Sequence, residues 1–201
     1  MTLFYRFAFI VVNLWLKIAG WRVLGKENIP LDEPYLIIAN HRENYDPMLI
    51  GCAFPRQVHF LYKSEFEKNR LIGCLFKLCG AIPLKRGEAD LVAMKKALAE
   101  LKKGDAVCIF PEGGRNKGEE LKEFKEGGAF LAYKAKVKII PVAIINSCDF
   151  VRFWKKNVRV IIGKPLTVNI EDNLRESMDK YNKLTREIVG RMLQEAKKSP
   201  Q

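Results

Sequence analysis

Tyr35-Leu36-Ile37-Ile38-Ala39-Asn40-His41-Arg42-Glu43-Asn44-Tyr45-Asp46-Pro47 is the stretch on which the reading of the fold turns. Five apolar residues in succession read as a short strand, and a polar run closes it. Asp-Pro then opens a helix ahead of 48–54, with Asp46 at the cap and Pro47 in the first turn. Working outward, short apolar runs recur at 58–62, 81–84, 106–110, 138–144 and 158–162. Helical patterns lie between them. In the clearest, Leu91, Met94, Leu98 and Leu101 recur at three- and four-residue intervals, and Gly104 is a natural stop. A last helix is expected over about 172–197, with Leu174, Met178, Tyr181, Leu184, Ile188 and Met192 on one face. Strands alternating with helices predict an α/β fold with a mostly parallel central sheet flanked by helices.

The 201 residues suit one such domain, 25–201, carrying an appendage at 1–24. The appendage is apolar but interrupted by Arg6, Asn13 and Lys17, which share one stripe of a helix. It lacks the roughly 20 uninterrupted apolar residues of a spanning helix. No small-x-small cleavage site follows, so a signal peptide also fits poorly. The expectation is an amphipathic helix lying in a membrane interface, with Trp15 and Trp21 at headgroup depth. The alternative is a helix docked on the protein's own core. Five scattered cysteines among apolar neighbours read as buried small hydrophobes of a reducing compartment. With two histidines and no CxxC pair, a zinc site is not expected. The net charge of +12 calls for an anionic partner.

In parallel sheets ligands gather beyond the carboxyl ends of strands. Three polar clusters fall there: the 40–47 loop, Lys85-Arg86-Gly87, and Pro111-Glu112-Gly113-Gly114-Arg115. His41 and Asp46 are five apart across a strand-to-helix turn, so the carboxylate can reach an imidazole nitrogen and fix its tautomer. That pair suits a general base acting on a hydroxyl. Alone, His41 reads equally as a surface loop histidine, whereas His59, inside an apolar strand, reads as structural. No G-x-S-x-G elbow is present and no cysteine neighbours a histidine, which leaves direct activation of an acceptor by His41. Arg86 and Arg115 are forked cations in loops with glycine nearby, a combination suited to phosphate. The P-loop pattern is absent. Glu112 reads as a group that orients Arg115, accepts from a substrate hydroxyl, or merely turns the chain.

In order, these residues resemble the glycerolipid acyltransferase family, and most of all its bacterial 1-acyl-sn-glycerol-3-phosphate acyltransferases. N-H-x₄-D-P is Asn40 to Pro47; G-x-I-x-x-x-R is Gly80 to Arg86; F-P-E-G-x-R is Phe110 to Arg115. A proline-centred apolar strand follows at Pro141, and Lys125 with Gly127-Gly128 resembles the family's K-x-G stretch. The similarity spans roughly 35–165. It departs at Glu43, where a small residue is usual, and at Gly114, where Thr or Ser is usual; neither is a motif position.

The resemblance implies transfer of a fatty acyl group from an acyl thioester, of acyl carrier protein or coenzyme A, to the sn-2 hydroxyl of lysophosphatidic acid, giving phosphatidic acid. It implies His41 as base with Asp46, and Arg86 and Arg115 on the acceptor phosphate with Glu112 and Gly113 beside them. Pro141 would line the acyl or acceptor region. It implies no metal and no cofactor beyond the thioester co-substrate, an anionic membrane surface as partner, and a peripheral or monotopic place on the cytoplasmic face of the cell membrane. Another lysolipid or glycerol 3-phosphate is the alternative acceptor. From another class, a non-catalytic basic binder of membranes or nucleic acid is the rival. Nucleic acid is not expected, because the aromatics concentrate in the N-terminal segment instead of interleaving with a basic stripe.

Overall fold

The computed structural model describes residues 1–85, 90–118, 120–152, 157–170 and 173–198. Six α-helices and seven strands alternate in it: α1 (Leu3–Ile18), β1 (Arg22–Leu24), β2 (Tyr35–Ala39), α2 (Asp46–Ala53), β3 (Val58–Lys63), α3 (Arg70–Leu78), β4 (Ile82–Leu84), α4 (Leu91–Lys102), β5 (Ala106–Ile109), α5 (Gly127–Ala135), β6 (Lys138–Ile145), β7 (Arg159–Ile162) and α6 (Leu174–Lys198). The strands form one sheet in the order β1-β7-β6-β2-β5-β3-β4. Every neighbouring pair is parallel except β6 with β7. After β6 the chain turns back through a 3-10 turn at Ser147–Asp149. Asn146, in the left-handed region at φ 56, ties this return by donating its Nδ2 hydrogen to Asn157 O at 3.2 Å.

All five residues of β2 are buried, as befits the middle of a sheet covered on both faces. Tyr35, Ile37 and Ala39 face a core built with Leu16 of α1 and Leu49, Ile50 and Phe54 from α2 and its end. Leu36 and Ile38 face the other core, with Ala97 and Leu101 of α4 and Ala129 and Ala132 of α5. Each large side chain so buried contributes about 1.5–3 kcal/mol. The connection after β2 leads through α2 to β3, toward one edge. The connection after β5 leads through α5 to β6, on the other side of β2. The carboxyl ends of β2 and β5 therefore flank the point where the winding reverses, which is where a doubly wound sheet opens a crevice.

Three expectations change. The N-terminal helix stops at Ile18, not near residue 24: Gly20 turns the chain at φ 67, and Arg22–Leu24 joins the sheet beside β7. That strand shows only three residues, two of them exposed, so no apolar run announces it. The buried stripe of α6 runs through Met178, Asn182, Thr185, Val189 and Ala196, and Leu174 is exposed. Asn182 and Thr185 can turn inward because both find partners: Asn182 Oδ1 accepts from Ala129 N and Thr185 Oγ1 donates to Tyr181 O. The expected helix start at 172 lies outside the described residues. Finally, of the five free cysteines, only Cys108 is fully buried; Cys74 and Cys148 are exposed.

Helix α1 is apolar on two sides. Tyr5 and Leu16 are buried against the domain, while Phe7, Ile10, Leu14 and Ile18 are exposed. One face of this segment is thus docked on the domain, as in the alternative reading, and the other is open to its surroundings. No helix among the described residues is long and apolar enough to cross a membrane.

Candidate active site

The loop after β2 begins with a clamp. Asn40 is buried and exchanges two hydrogen bonds with β6, Nδ2 to Ile144 O at 3.0 Å and Ile144 N to Oδ1 at 2.8 Å. This fixes the point at which the backbone delivers His41. The His41 ring lies on Phe110, centroids 4.3 Å apart and planes at 22°. Its Nδ1 sits 2.8 Å from Asp46 Oδ2. The same carboxylate oxygen accepts the backbone N–H groups of Arg42 at 2.6 Å and Glu43 at 2.8 Å. An oxygen that receives two N–H bonds meets Nδ1 as an acceptor, so the ring proton belongs on Nδ1 and the Nε2 lone pair is left for another group. Asp46 is 0% exposed and the His41 side chain 18%, so the carboxylate is shielded while the imidazole reaches solvent.

Asp46 therefore does not cap α2. It is the first helical residue, and its side chain folds back over the loop. The capping geometry expected from Asp-Pro is replaced because two loop N–H groups and an imidazole compete for the oxygen and win.

Glu112, after β5, binds the two loops together. Oε1 accepts from His41 N at 3.0 Å; Oε2 accepts from Asn116 Nδ2 at 2.6 Å and Lys122 N at 3.2 Å. Asn116 N in turn donates to His41 O at 2.7 Å. His41 is thus held by ring stacking, an imidazole–carboxylate bond and both of its backbone polar groups. Beside it opens a polar cleft of about 590 Å³, lined by Lys63, Glu112, Gly113, Gly114, Arg115, Asn116, Lys117, Gly118 and Lys122. Among the described residues four cations line it, and both oxygens of Glu112, the one acid in the lining, are taken by protein donors, so these residues present positive charge to a ligand.

A scan against family models matches the "Acyltransferase" family over residues 20–145. The chain belongs to the acyltransferase family. It is 30% identical over 165 residues to 1-acyl-sn-glycerol-3-phosphate acyltransferase of Bacillus subtilis, covering 81% of this chain and 82% of that one. It is 35% identical over 136 residues to the protein of the same name from Streptococcus pneumoniae, covering 66% and 50%. Among solved structures, the 1-acyl-sn-glycerophosphate (LPA) acyltransferase PlsC from Thermotoga maritima superimposes with a TM-score of 0.73 at 23% identity, covering 95% of this chain and 81% of that one; this likeness shows the shared fold.

Within this acyltransferase, His41, Asp46, Glu112, Gly113 and Arg115 come together at the carboxyl end of the sheet. Arg86 lies outside the described residues. The strand that precedes it, β4, ends at Leu84, in register with the cleft residue Lys63. Pro141 is not brought to the cleft. It sits mid-strand, paired with Ile38, and its ring lies against Gly163. Lys63 and Lys122 were not singled out by the sequence. Lys63 is the last residue of β3, so the rule that marked the other loops would have found it; Lys122 has no such signal.

His59 is structural as expected: it is buried and its Nδ1 donates to Gly80 O at 2.7 Å. With Glu100 and Asp105 it forms the one grouping among the described residues whose spacing suits a metal ion. The group lies at the amino end of the strands, away from the cleft, and both oxygens of Glu100 are taken by Lys103 Nζ. Burial pushes the Cys52 thiol up to about 12 and the Cys108 thiol well above its ordinary value, so neither offers a thiolate nucleophile at neutral pH.

Gly113 adopts φ 71, and a Cβ there would come within 2.8 Å of Lys125 Nζ and Cε. Gly113→Ala is expected to lower stability by about 1–2 kcal/mol from the left-handed backbone alone. It should also push the Lys125 side chain away from Gly113, a cleft residue, and any loss of acyl transfer beyond the stability change would report a shift of the 111–115 loop. Thermal unfolding and turnover measured together separate the two effects.

Proposed function

We propose that the protein is a membrane-associated 1-acyl-sn-glycerol-3-phosphate acyltransferase, joining a fatty acyl group from an acyl thioester to the sn-2 hydroxyl of lysophosphatidic acid. The observation that carries this reading is His41: Nδ1 engaged by buried Asp46, and Nε2 without a protein partner among the described residues, beside a cationic cleft. The names of the relatives point the same way.

In the proposed step Nε2 takes the proton of the sn-2 hydroxyl as that oxygen attacks the thioester carbonyl carbon. The C–O bond forms, the C–S bond breaks, and the imidazolium returns the proton to the departing thiolate. Asp46 holds the ring in register and stabilises the imidazolium. Arg115, with Lys63, Lys117 and Lys122, receives the acceptor phosphate, and Arg86 is assigned to the same anion by the motif alone. The donor is the thioester of acyl carrier protein or coenzyme A; both are acidic, and the +12 charge suits either. These steps use no metal and no cofactor beyond the co-substrate. Helix α1 supplies contact with anionic lipid at the cytoplasmic face of the membrane.

The test is thiol release from acyl-coenzyme A and from acyl-acyl carrier protein, with and without lysophosphatidic acid. Release that depends on the acceptor is expected; release without it would make the protein a thioesterase. Arg115→Ala should raise KM for the acceptor about 10- to 100-fold, the worth of one charge-assisted phosphate contact, with a smaller change in kcat. An unchanged KM would remove Arg115 from the phosphate site.

A further inference from the structure

We infer that α3 is a second membrane-contact element, continuous with the outer face of α1, so that the catalytic domain itself rests on the bilayer. The helix has two faces. Inward, Phe76 packs on Tyr62 at 4.5 Å between ring centroids and Gly73 lies against the backbone of Glu67. Outward, Leu71, Leu75 and Leu78 recur at intervals of four and three, one stripe of a helix, and they are 83%, 46% and 45% exposed. A helix that met only water would carry polar residues there, and a contiguous apolar surface marks an interaction site.

The stripe does not stand alone. Thr2 Oγ1 donates to Leu78 O at 3.3 Å, and Thr2 N donates at 2.9 Å to Gln57 Oε1, whose own Nε2 donates to Cys79 O at 3.3 Å; together these tie the start of α1 to the end of α3. Leu3 and Phe7, exposed on α1, therefore begin where the α3 stripe ends. The charges around both surfaces select the occupant. Residues 1–26 contain Arg6, Lys17, Arg22 and Lys26 and no acid; residues 68–78 contain Lys68, Arg70 and Lys77 and no acid. Glu65 and Glu67 lie in the turn just before α3, and Glu67 is 3.9 Å from Lys77, yet around the two stripes cations still outnumber acids. Two apolar stripes edged mostly by cations suit an anionic phospholipid bilayer, whose acyl region takes the leucines and whose phosphates take the cations. Two such footings fix the orientation of a rigid domain, which a single helix leaves free to rotate. This serves the proposed acyl transfer to a lipid acceptor, and for its purpose the inference rests on that reading.

The experiment uses the full chain and exposed positions only. Leu71→Ser/Leu75→Ser/Leu78→Ser is compared with wild type for co-sedimentation with vesicles of phosphatidylcholine and phosphatidylglycerol and with vesicles of phosphatidylcholine alone. In a Cys148→Ser background, a polarity-sensitive fluorophore on Cys74, exposed on the same outer side of α3, reports burial directly. The expected results are a loss of vesicle affinity of at least about tenfold in the triple variant, an unchanged unfolding temperature, and a blue shift of the Cys74 label on vesicles. Turnover of a short-chain lysophosphatidic acid below its micelle concentration should persist in the triple variant. Wild-type binding by the triple variant, or a label that stays in water, would overturn the inference. So would a wild-type dimer in light scattering that the triple variant dissociates, since a second copy would then be the occupant. Absence of any acyl transfer by wild type strikes the functional reading and leaves the vesicle result standing.

Discussion

His41→Ala is expected to lower acceptor-dependent thiol release by about 10²–10⁴-fold, the range of a positioned general base, with little change in the unfolding temperature. The small structural effect follows from the geometry. Alanine keeps the backbone N–H to Glu112 and the carbonyl that accepts from Asn116, and Asp46 keeps its bonds from Arg42 and Glu43. What is lost is the Nε2 lone pair and the stacking on Phe110. Asp46→Asn should cost activity on the same scale although it preserves shape. The backbone N–H groups of Arg42 and Glu43 keep the amide oxygen on the ring side, so Nδ1 retains its acceptor, but a neutral amide no longer stabilises the imidazolium that forms as Nε2 takes its proton. Vesicle binding should survive both substitutions. Activity within about threefold of wild type in His41→Ala would end the assignment of the base.

Glu112→Ala is expected to injure fold and activity together. Its carboxylate is buried and receives two backbone N–H groups and the Asn116 side chain. Of the three donors Asn116 Nδ2 keeps a partner in Glu120 O, but the N–H groups of His41 and Lys122 lose theirs. A buried donor left unpaired costs about 1–3 kcal/mol, so the pair costs about 2–6 kcal/mol unless water enters. For a chain of this length that is a fall of about 5–20 °C in unfolding temperature. Glu112→Gln keeps the volume and one acceptor oxygen but turns an NH₂ toward other donors, and should fall between alanine and wild type. If Glu112 acted only on substrate, Glu112→Gln would raise KM and leave the unfolding temperature alone. Scanning calorimetry beside acceptor kinetics decides between these roles.

Much of the site was legible because its residues occupy places dictated by chain order. A short apolar run ending in Asn40-His41 and a second ending at Pro111-Glu112 must both open at one end of a parallel sheet. The five-residue spacing of His41 and Asp46 is local, so their pairing can be read without knowing the rest of the fold. Glu112 was visible as an acid of the right loop, but its work was not. It serves a backbone N–H 71 residues away, and nothing in a list of side chains states where a distant amide will lie. Pro141 was legible as the centre of an apolar strand, which it is, but its packing on Gly163 across the turn of the chain was not.

The sequence by itself determined the α/β alternation, the loops that carry chemistry, the His41–Asp46 pair and the excess of positive charge. These depend on periodicity and short spacings, which are properties of neighbouring residues. Only the tertiary structure decided that Arg22–Leu24 completes the sheet, that Glu112 and Asn116 lock His41 from across the crevice, and that α3 leaves leucines outside beside the first turn of α1. Each of these joins segments tens of residues apart, and which face an apolar residue shows to water is settled by what packs behind it.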